Sequence, residues 1–222
     1  MRIAGLVKNS FLDYPGLIAA VVFVPDCNMD CWYCHNRALW SNAALLDTAQ
    51  VLSFLEKRRG FLDGVVISGG EPTLQAGLLP FIRSVKQMGY YVKLDTNGLK
   101  PEVVEVLLSD LDYVAMDIKA PPGQLCRVVS FALNDEPIWR CAELLMDSGV
   151  DYEFRTTFMP TLDAGDIEEI SRRIRGARRY VLQQYRKTDG RKIQPEPHSS
   201  ETVKKAAEAA REHVKDVVIR GL

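Results

Sequence analysis

No stretch of this sequence approaches the roughly 18 uninterrupted apolar residues of a membrane-spanning helix. The opening MRIAGLVKNSFLDYPG also lacks the apolar centre of a signal peptide. These absences point to a cytoplasmic protein that does not engage a membrane. An excess of charge is missing too: 28 Lys and Arg stand against 29 Asp and Glu, a formal net charge of -1. No basic footprint for nucleic acid or an anionic bilayer follows from that balance, so no nucleic-acid partner is expected. Cysteine is scarce and odd in number, and three of the five, Cys27, Cys31 and Cys34, fall within eight residues. That pattern suits a reducing compartment and a metal or cluster site better than a disulfide framework. Linker and low-complexity tracts are absent as well. The 222 residues, 47% apolar and 26% charged, suffice for one sizeable core. The expected organisation is one domain over 1–222, with its core at about 17–186 and a loop and helix over 187–222.

What is present is a regular alternation. Apolar, β-branched runs begin at Ile18 (IAAVVFVP), Gly64 (GVVISGG), Tyr91 (YVKLDTNG), Tyr113 (YVAMDIKAP), Asp151 (DYEFRTTFMP) and Arg179 (RYVLQQY). They read as six buried parallel strands. Amphipathic segments between them carry helix signals. Asp47 with Gln50 reads as a capping box, Pro137 suits a first turn, and Gly60, Gly89, Gly149 and Gly176 sit where helices stop. A last helix is expected at about 200–214, followed by a short VVI at Val217; the polar run from Arg186 reads as a long loop. Six βα units in succession predict an α/β fold, an incomplete (β/α)6 barrel, with an open doubly wound sheet as the alternative. In such folds the chemistry gathers at the carboxyl ends of the strands. Here those ends carry the cysteines, SGGEP, DTNG, DIK, RTT and QQY.

Thiolates suit zinc and iron–sulfur clusters, and a closed zinc site needs a fourth protein ligand. The candidates are poorly placed. Cys141 keeps step with Ile138, Leu144 and Leu145 on a predicted helix and reads as core; Cys126 lies in a loop with no partner at ligand spacing; His35 adjoins Cys34; His198 and His213 are remote in sequence. A four-iron cubane held by three thiolates instead leaves one iron open to an outside ligand.

The spacing Cys-x3-Cys-x2-Cys on the loop after the first predicted barrel strand resembles the signature of the radical S-adenosylmethionine (SAM) superfamily. SGGEP, with Gly69, Gly70 and Glu71, resembles that family's glycine–glycine–glutamate motif. CWYCHN, SGGEP, LDTNG and MDIK in this order are similar to the activating enzymes of glycyl-radical proteins. The stretches GLVKNSFLDYPGLIAAVVF and KLDTNG to DYEFRTTFMPT most resemble the anaerobic ribonucleoside-triphosphate reductase activating proteins, over roughly 3–186. The region 121–135 matches least, and Arg186 stands where the formate-lyase activases carry a histidine.

The resemblance implies a [4Fe-4S] cluster on Cys27, Cys31 and Cys34, with SAM supplying the missing ligand. It implies that Gly69, Gly70 and Glu71 admit the methionine end of SAM and that Tyr33 lies against the adenine. Asp95, Thr96, Asn97 and Asp117 would lie around SAM and a possible monovalent cation, and Lys119 and Arg155 would face the cofactor. For Arg155 a plain salt bridge to Glu153 or Glu71 is the competing reading. The implied reaction is reductive cleavage of SAM and abstraction of a glycine Cα hydrogen on a partner enzyme. An electron donor of the flavodoxin or ferredoxin type would drive it. The alternatives are activation of another glycyl-radical enzyme and radical chemistry on a small molecule such as a deazaguanine precursor. DYPG at 13–16 is a candidate partner contact, with an ordinary turn as its competitor.

Overall fold

A computed structural model describes residues 1–40, 44–188 and 194–222. Eight strands form one sheet in strict chain order: β1 Gly5–Ser10, β2 Ala19–Val24, β3 Gly64–Gly69, β4 Tyr91–Thr96, β5 Tyr113–Asp117, β6 Asp151–Phe158, β7 Tyr180–Gln184 and β8 Val217–Arg220. β1 runs antiparallel to β2, and every later neighbour is parallel. Helices α1 Thr48–Lys57, α2 Leu78–Gln87, α3 Pro101–Leu107, α4 Glu136–Asp147, α5 Ala164–Arg173 and α6 Ser200–Arg211 connect them. The order never reverses, which rules out the doubly wound alternative, and β8 does not pair back to β1. The expected incomplete barrel is therefore the fold, with one strand added at each edge. The VVI run is the full strand β8. No helix among the described residues is long and apolar enough to cross a membrane.

Strand alternation sorts side chains onto two faces. Ala20, Val22, Val24, Val65, Ile67, Val92, Leu94, Val114, Met116 and Phe154 join the large core beneath the helices. The opposite face has a small apolar plug of Tyr14, Ala19, Val21, Val66, Tyr113 and Ala115. Above that plug the same face turns polar, because β4 places Lys93 and Asp95 there, β5 places Asp117 and β6 places Glu153 and Arg155. Register sets Asp117 directly opposite Arg155. Tyr14 packs its ring on Tyr113 at 5.8 Å and is 5% exposed, so it belongs to the barrel floor, while Asp13 and Gly16 of DYPG stay exposed.

The helix signals hold in part. Asp47 caps α1 by accepting from the Ala49 N–H at 3.0 Å, without a reciprocal bond from Gln50. The complete capping box forms instead at α5, between Asp163 and Asp166. Pro137 lies in the first turn of α4. Gly60, Gly89 and Gly176 take positive φ, whereas Gly149 does not; α4 ends on an extended Ser148. Part of the loop expected after Arg186, residues 189–193, lies outside the described residues.

Candidate active site

The carboxyl ends of β2 to β6 surround a cavity of about 490 Å3, within the range of cofactor sites. Cys27, Cys31, Cys34, Tyr33, Gly69, Gly70, Glu71, Asp95, Thr96, Asn97, Asp117, Lys119 and Arg155 all line it. The chain thus gathers in one place every residue singled out from the sequence for cofactor or metal. Cys126 and Cys141 are elsewhere. Cys126 is exposed in the turn Leu125–Arg127, and Cys141 is buried on α4 as a core residue.

The glycines earn their place by packing. A Cβ on Gly70 would stand 1.8 Å from the Asp26 carbonyl oxygen, and one on Gly69 would stand 2.5 Å from that of Val24. The missing side chains let the end of β3 dock against the start of the cysteine loop. There the Gly70 N–H donates to Val24 at 2.9 Å and the Glu71 N–H to Asp26 at 2.8 Å. Asp26 itself adopts φ +64, a left-handed conformation costly for a residue with a Cβ. Gly70→Ala is expected to push the two backbones apart and to cost about 1–3 kcal/mol or more. Thermal unfolding of the variant checks it.

Glu71 is 1% exposed. Its carboxylate accepts from Thr73 N–H at 3.0 Å, Thr73 Oγ1 at 2.6 Å, Thr96 Oγ1 at 2.8 Å and Asn97 N–H at 2.8 Å. Burial raises its carboxyl above the ordinary range, and these four bonds offset part of that rise. Glu71 and Thr96 therefore stitch β3 to β4 beneath the cavity. Asn97 reaches the other way. Its amide donates to Asn28 Oδ1 at 2.8 Å and approaches the Cys27 sulfur at 3.8 Å. Asn36, next to the third cysteine, donates to the Gly69 carbonyl at 2.9 Å and so ties the cysteine loop to the glycine motif. That role was missed in the sequence, where only its place in CHN stood out.

A charged ladder forms the far wall. Lys93, 2% exposed, donates to Asp95 at 2.6 Å, and Ser68 donates to the other oxygen of Asp95 at 2.9 Å. Arg155 spans Asp95 at 3.4 Å and Asp117 at 2.8 Å, and Lys119 contacts Asp117 at 3.1 Å. Burial alone would raise both carboxyls. Arg155, helped by Lys119, instead holds Asp117 down to about 2, while Arg155 and Lys93 lower Asp95. The cations that compensate these aspartates belong to the protein. Arg155 pairs with neither Glu71 nor Glu153; Glu153 is taken by Arg220 of β8, through two contacts of 2.7 Å. Sequence reading missed Lys93 and Arg220, since a single lysine or arginine in a strand gives no periodic signal.

The Tyr33 hydroxyl is buried with no hydrogen-bond partner among the described residues, and Lys119 lies 5.9 Å from the centre of its ring. Burial pushes the Cys27 thiol up to about 11, against a smaller downward pull from the Met29 N–H, and raises Cys31 as well. All three thiols are free of disulfides. Among the described residues no three His, Cys, Asp or Glu side chains are grouped to hold a single metal ion. Three thiols lining one cavity, with neither Cys126 nor Cys141 beside them, suit a cluster that leaves one iron open to an outside ligand.

Comparison with known proteins decides the family. The model of the radical SAM superfamily matches residues 21–174. The chain is a radical SAM protein. Within the superfamily it belongs with the glycyl-radical enzyme activating enzymes. A Methanocaldococcus jannaschii protein named as one of these is 34% identical across 98% of this chain and 95% of its own length. The pyruvate formate-lyase-activating enzyme of Streptococcus mutans is 33% identical across 74% of this chain and 69% of its own. Among solved structures, Streptococcus suis SuiB bound to S-adenosylmethionine shares the fold, with TM-score 0.69 and 14% identity over 90% of this radical SAM chain and 52% of SuiB.

Proposed function

We propose that this radical SAM enzyme installs a glycyl radical on a partner enzyme, the anaerobic ribonucleoside-triphosphate reductase. The observation that carries the reading is an opening in the site. The cysteine cavity shares Asp13, Tyr33, His35, Arg155 and Gln183 with a second cavity of about 630 Å3 on the β7–β8 side. A polypeptide loop bearing a glycine needs such a side entrance, whereas a small substrate is served better by a closed pocket. Likeness to the M. jannaschii protein over nearly both whole lengths supports activation of a glycyl-radical enzyme. The reductase as partner rests on the resemblance of the segments flanking the cysteines. Five cysteines leave too few for an auxiliary cluster beside the first.

In this reading Cys27, Cys31 and Cys34 hold a [4Fe-4S] cluster, and SAM lies beside Gly69, Gly70, Asp95, Asp117, Lys119 and Arg155. When bound and reduced, cluster and SAM together supply a 5′-deoxyadenosyl radical. The chain's own part is placement. Arg155 and Lys119 are held charged and aimed by the two aspartates, ready for an anionic group, and Tyr33 and Met29 line the cavity wall. Arg186 lines the second cavity and not the first, which supports a role on the partner's side of the site in this reading. A flavodoxin- or ferredoxin-type donor in the cytoplasm would supply the electron.

The test is anaerobic. Reconstituted protein, reductant, SAM and the reductase are mixed, and the electron paramagnetic resonance spectrum is recorded. A glycine-centred doublet on the reductase is expected. A doublet raised on a formate lyase but not on the reductase would contradict the choice of partner.

A further inference from the structure

The segment 125–130 lies in the region that resembles the family least, yet it runs along the cysteine loop. Within residues 27–36 the backbone closes on itself through the Cys34 N–H and the Cys31 carbonyl at 3.1 Å. Much of the loop's remaining support comes from outside. The Trp32 N–H donates to Val128 at 3.1 Å, the Trp32 indole N–H to Arg127 at 3.3 Å, and Ser130 Oγ to Asp30 at 2.9 Å. Cys31 and Val129 form an antiparallel bridge, with Val128 and Val129 buried.

Leu125, Val128 and Val129 bury themselves in the core, and one polar side chain ties the segment to α5. Arg127 donates to Asp166 at 2.7 Å, to Gln124 at 2.6 Å and to the Thr161 carbonyl. The second oxygen of Asp166 accepts the Asp163 N–H at 2.7 Å in the α5 cap, so Arg127 ties the segment to the start of a helix. The apolar side chains hold the turn against the core, while that tie fixes where it sits along a cysteine loop with little internal structure.

We propose that segment 125–130 is a strap holding the cysteine loop in its cluster-bearing shape, and that Arg127 is the positioning residue that fastens it. The inference rests on the reading of the three cysteines as cluster ligands. Loosening the strap lets the loop open more often and exposes the iron to competing ligands, with no change in the cysteines themselves.

The experiment measures release of iron from the reconstituted holoenzyme to a chelator under anaerobic conditions, alongside the unfolding midpoint of each variant. Arg127→Ala is expected to release iron about tenfold faster, the size of one lost charge-assisted hydrogen bond, and Arg127→Lys to recover part of the difference. Trp32→Phe keeps the ring and removes the bond to the Arg127 carbonyl, so it serves where Arg127→Ala folds poorly. It should also speed release, and the double variant should fall short of the product of the two single effects. Release at the wild-type rate in Arg127→Ala, or fully multiplicative effects in the double variant, would overturn the strap. Failure of the wild-type protein to take up iron and sulfide at all would instead overturn the cluster reading beneath it.

Discussion

Replacing Arg155 with Ala is expected to destabilise the protein by about 3–5 kcal/mol, because it leaves two carboxylates without their shared guanidinium. The side chains of Arg155, Asp95 and Asp117 are 12%, 16% and 30% exposed, so water replaces the lost partner only in part. For a chain of this size that cost lowers the unfolding midpoint by roughly 6–20 °C. The effect should depend on pH with a definite sign. Asp117 is held at about 2 in the folded protein, against about 3.9 in an unfolded chain. A carboxyl depressed by folding contributes stability above its unfolded value and loses it as pH falls toward its folded one. Wild type therefore loses this contribution between about pH 4 and about pH 2. In Arg155→Ala only Lys119 still opposes the effect of burial on Asp117, so most of that contribution is already gone and the gap between the two proteins should narrow on acidification. Midpoints recorded across this pH range check it; a constant gap would show that the Arg155 pairs do not carry the stability.

Cys31→Ala is expected to abolish both assembly of the four-iron cluster and cleavage of SAM. The Cys31 side chain opens on the cavity while its backbone bridges Val129, so the substitution removes a thiolate and leaves the loop's anchorage. Cys141→Ala is the matched control. That residue is fully buried on α4, away from the cavity, and its loss should lower stability without lowering iron content. Iron and sulfide analysis after reconstitution, with 5′-deoxyadenosine as the product assayed, separates the two. A cluster retained by Cys31→Ala, or lost by Cys141→Ala, would contradict the ligand assignment.

Six of the seven parallel strands were legible as short runs rich in apolar and β-branched residues that end in polar ones; the seventh showed only as a short VVI, and the strand order that excludes a reversal needed the structure. β1 was not legible. GLVKNS exposes Val7, Lys8 and Asn9 along an antiparallel edge, and so shows no continuous apolar run. The cavity lining was legible from motif resemblance, but the physical duties of its members were not. Spacing cannot reveal that the bare faces of Gly69 and Gly70 are taken up by the backbone of residues 24–26. It cannot reveal that Glu71 spends its acceptors on Thr73, Thr96 and Asn97. Pairings across the barrel, such as Arg220 with Glu153 or Arg155 with Asp95, depend on which strand faces meet. Arg127 was hidden for a different reason, since its partner Asp166 lies 39 residues away on another helix.

The most direct measurement is the electron paramagnetic resonance spectrum of the reduced cluster with and without SAM carrying an isotopic label at its amino nitrogen. If three cysteines hold the cluster and SAM completes it, the spectrum shifts on addition of SAM and a hyperfine coupling from the label appears. A cluster spectrum indifferent to SAM, with no coupling, would contradict a shared site in the cavity of Cys27, Cys31 and Cys34.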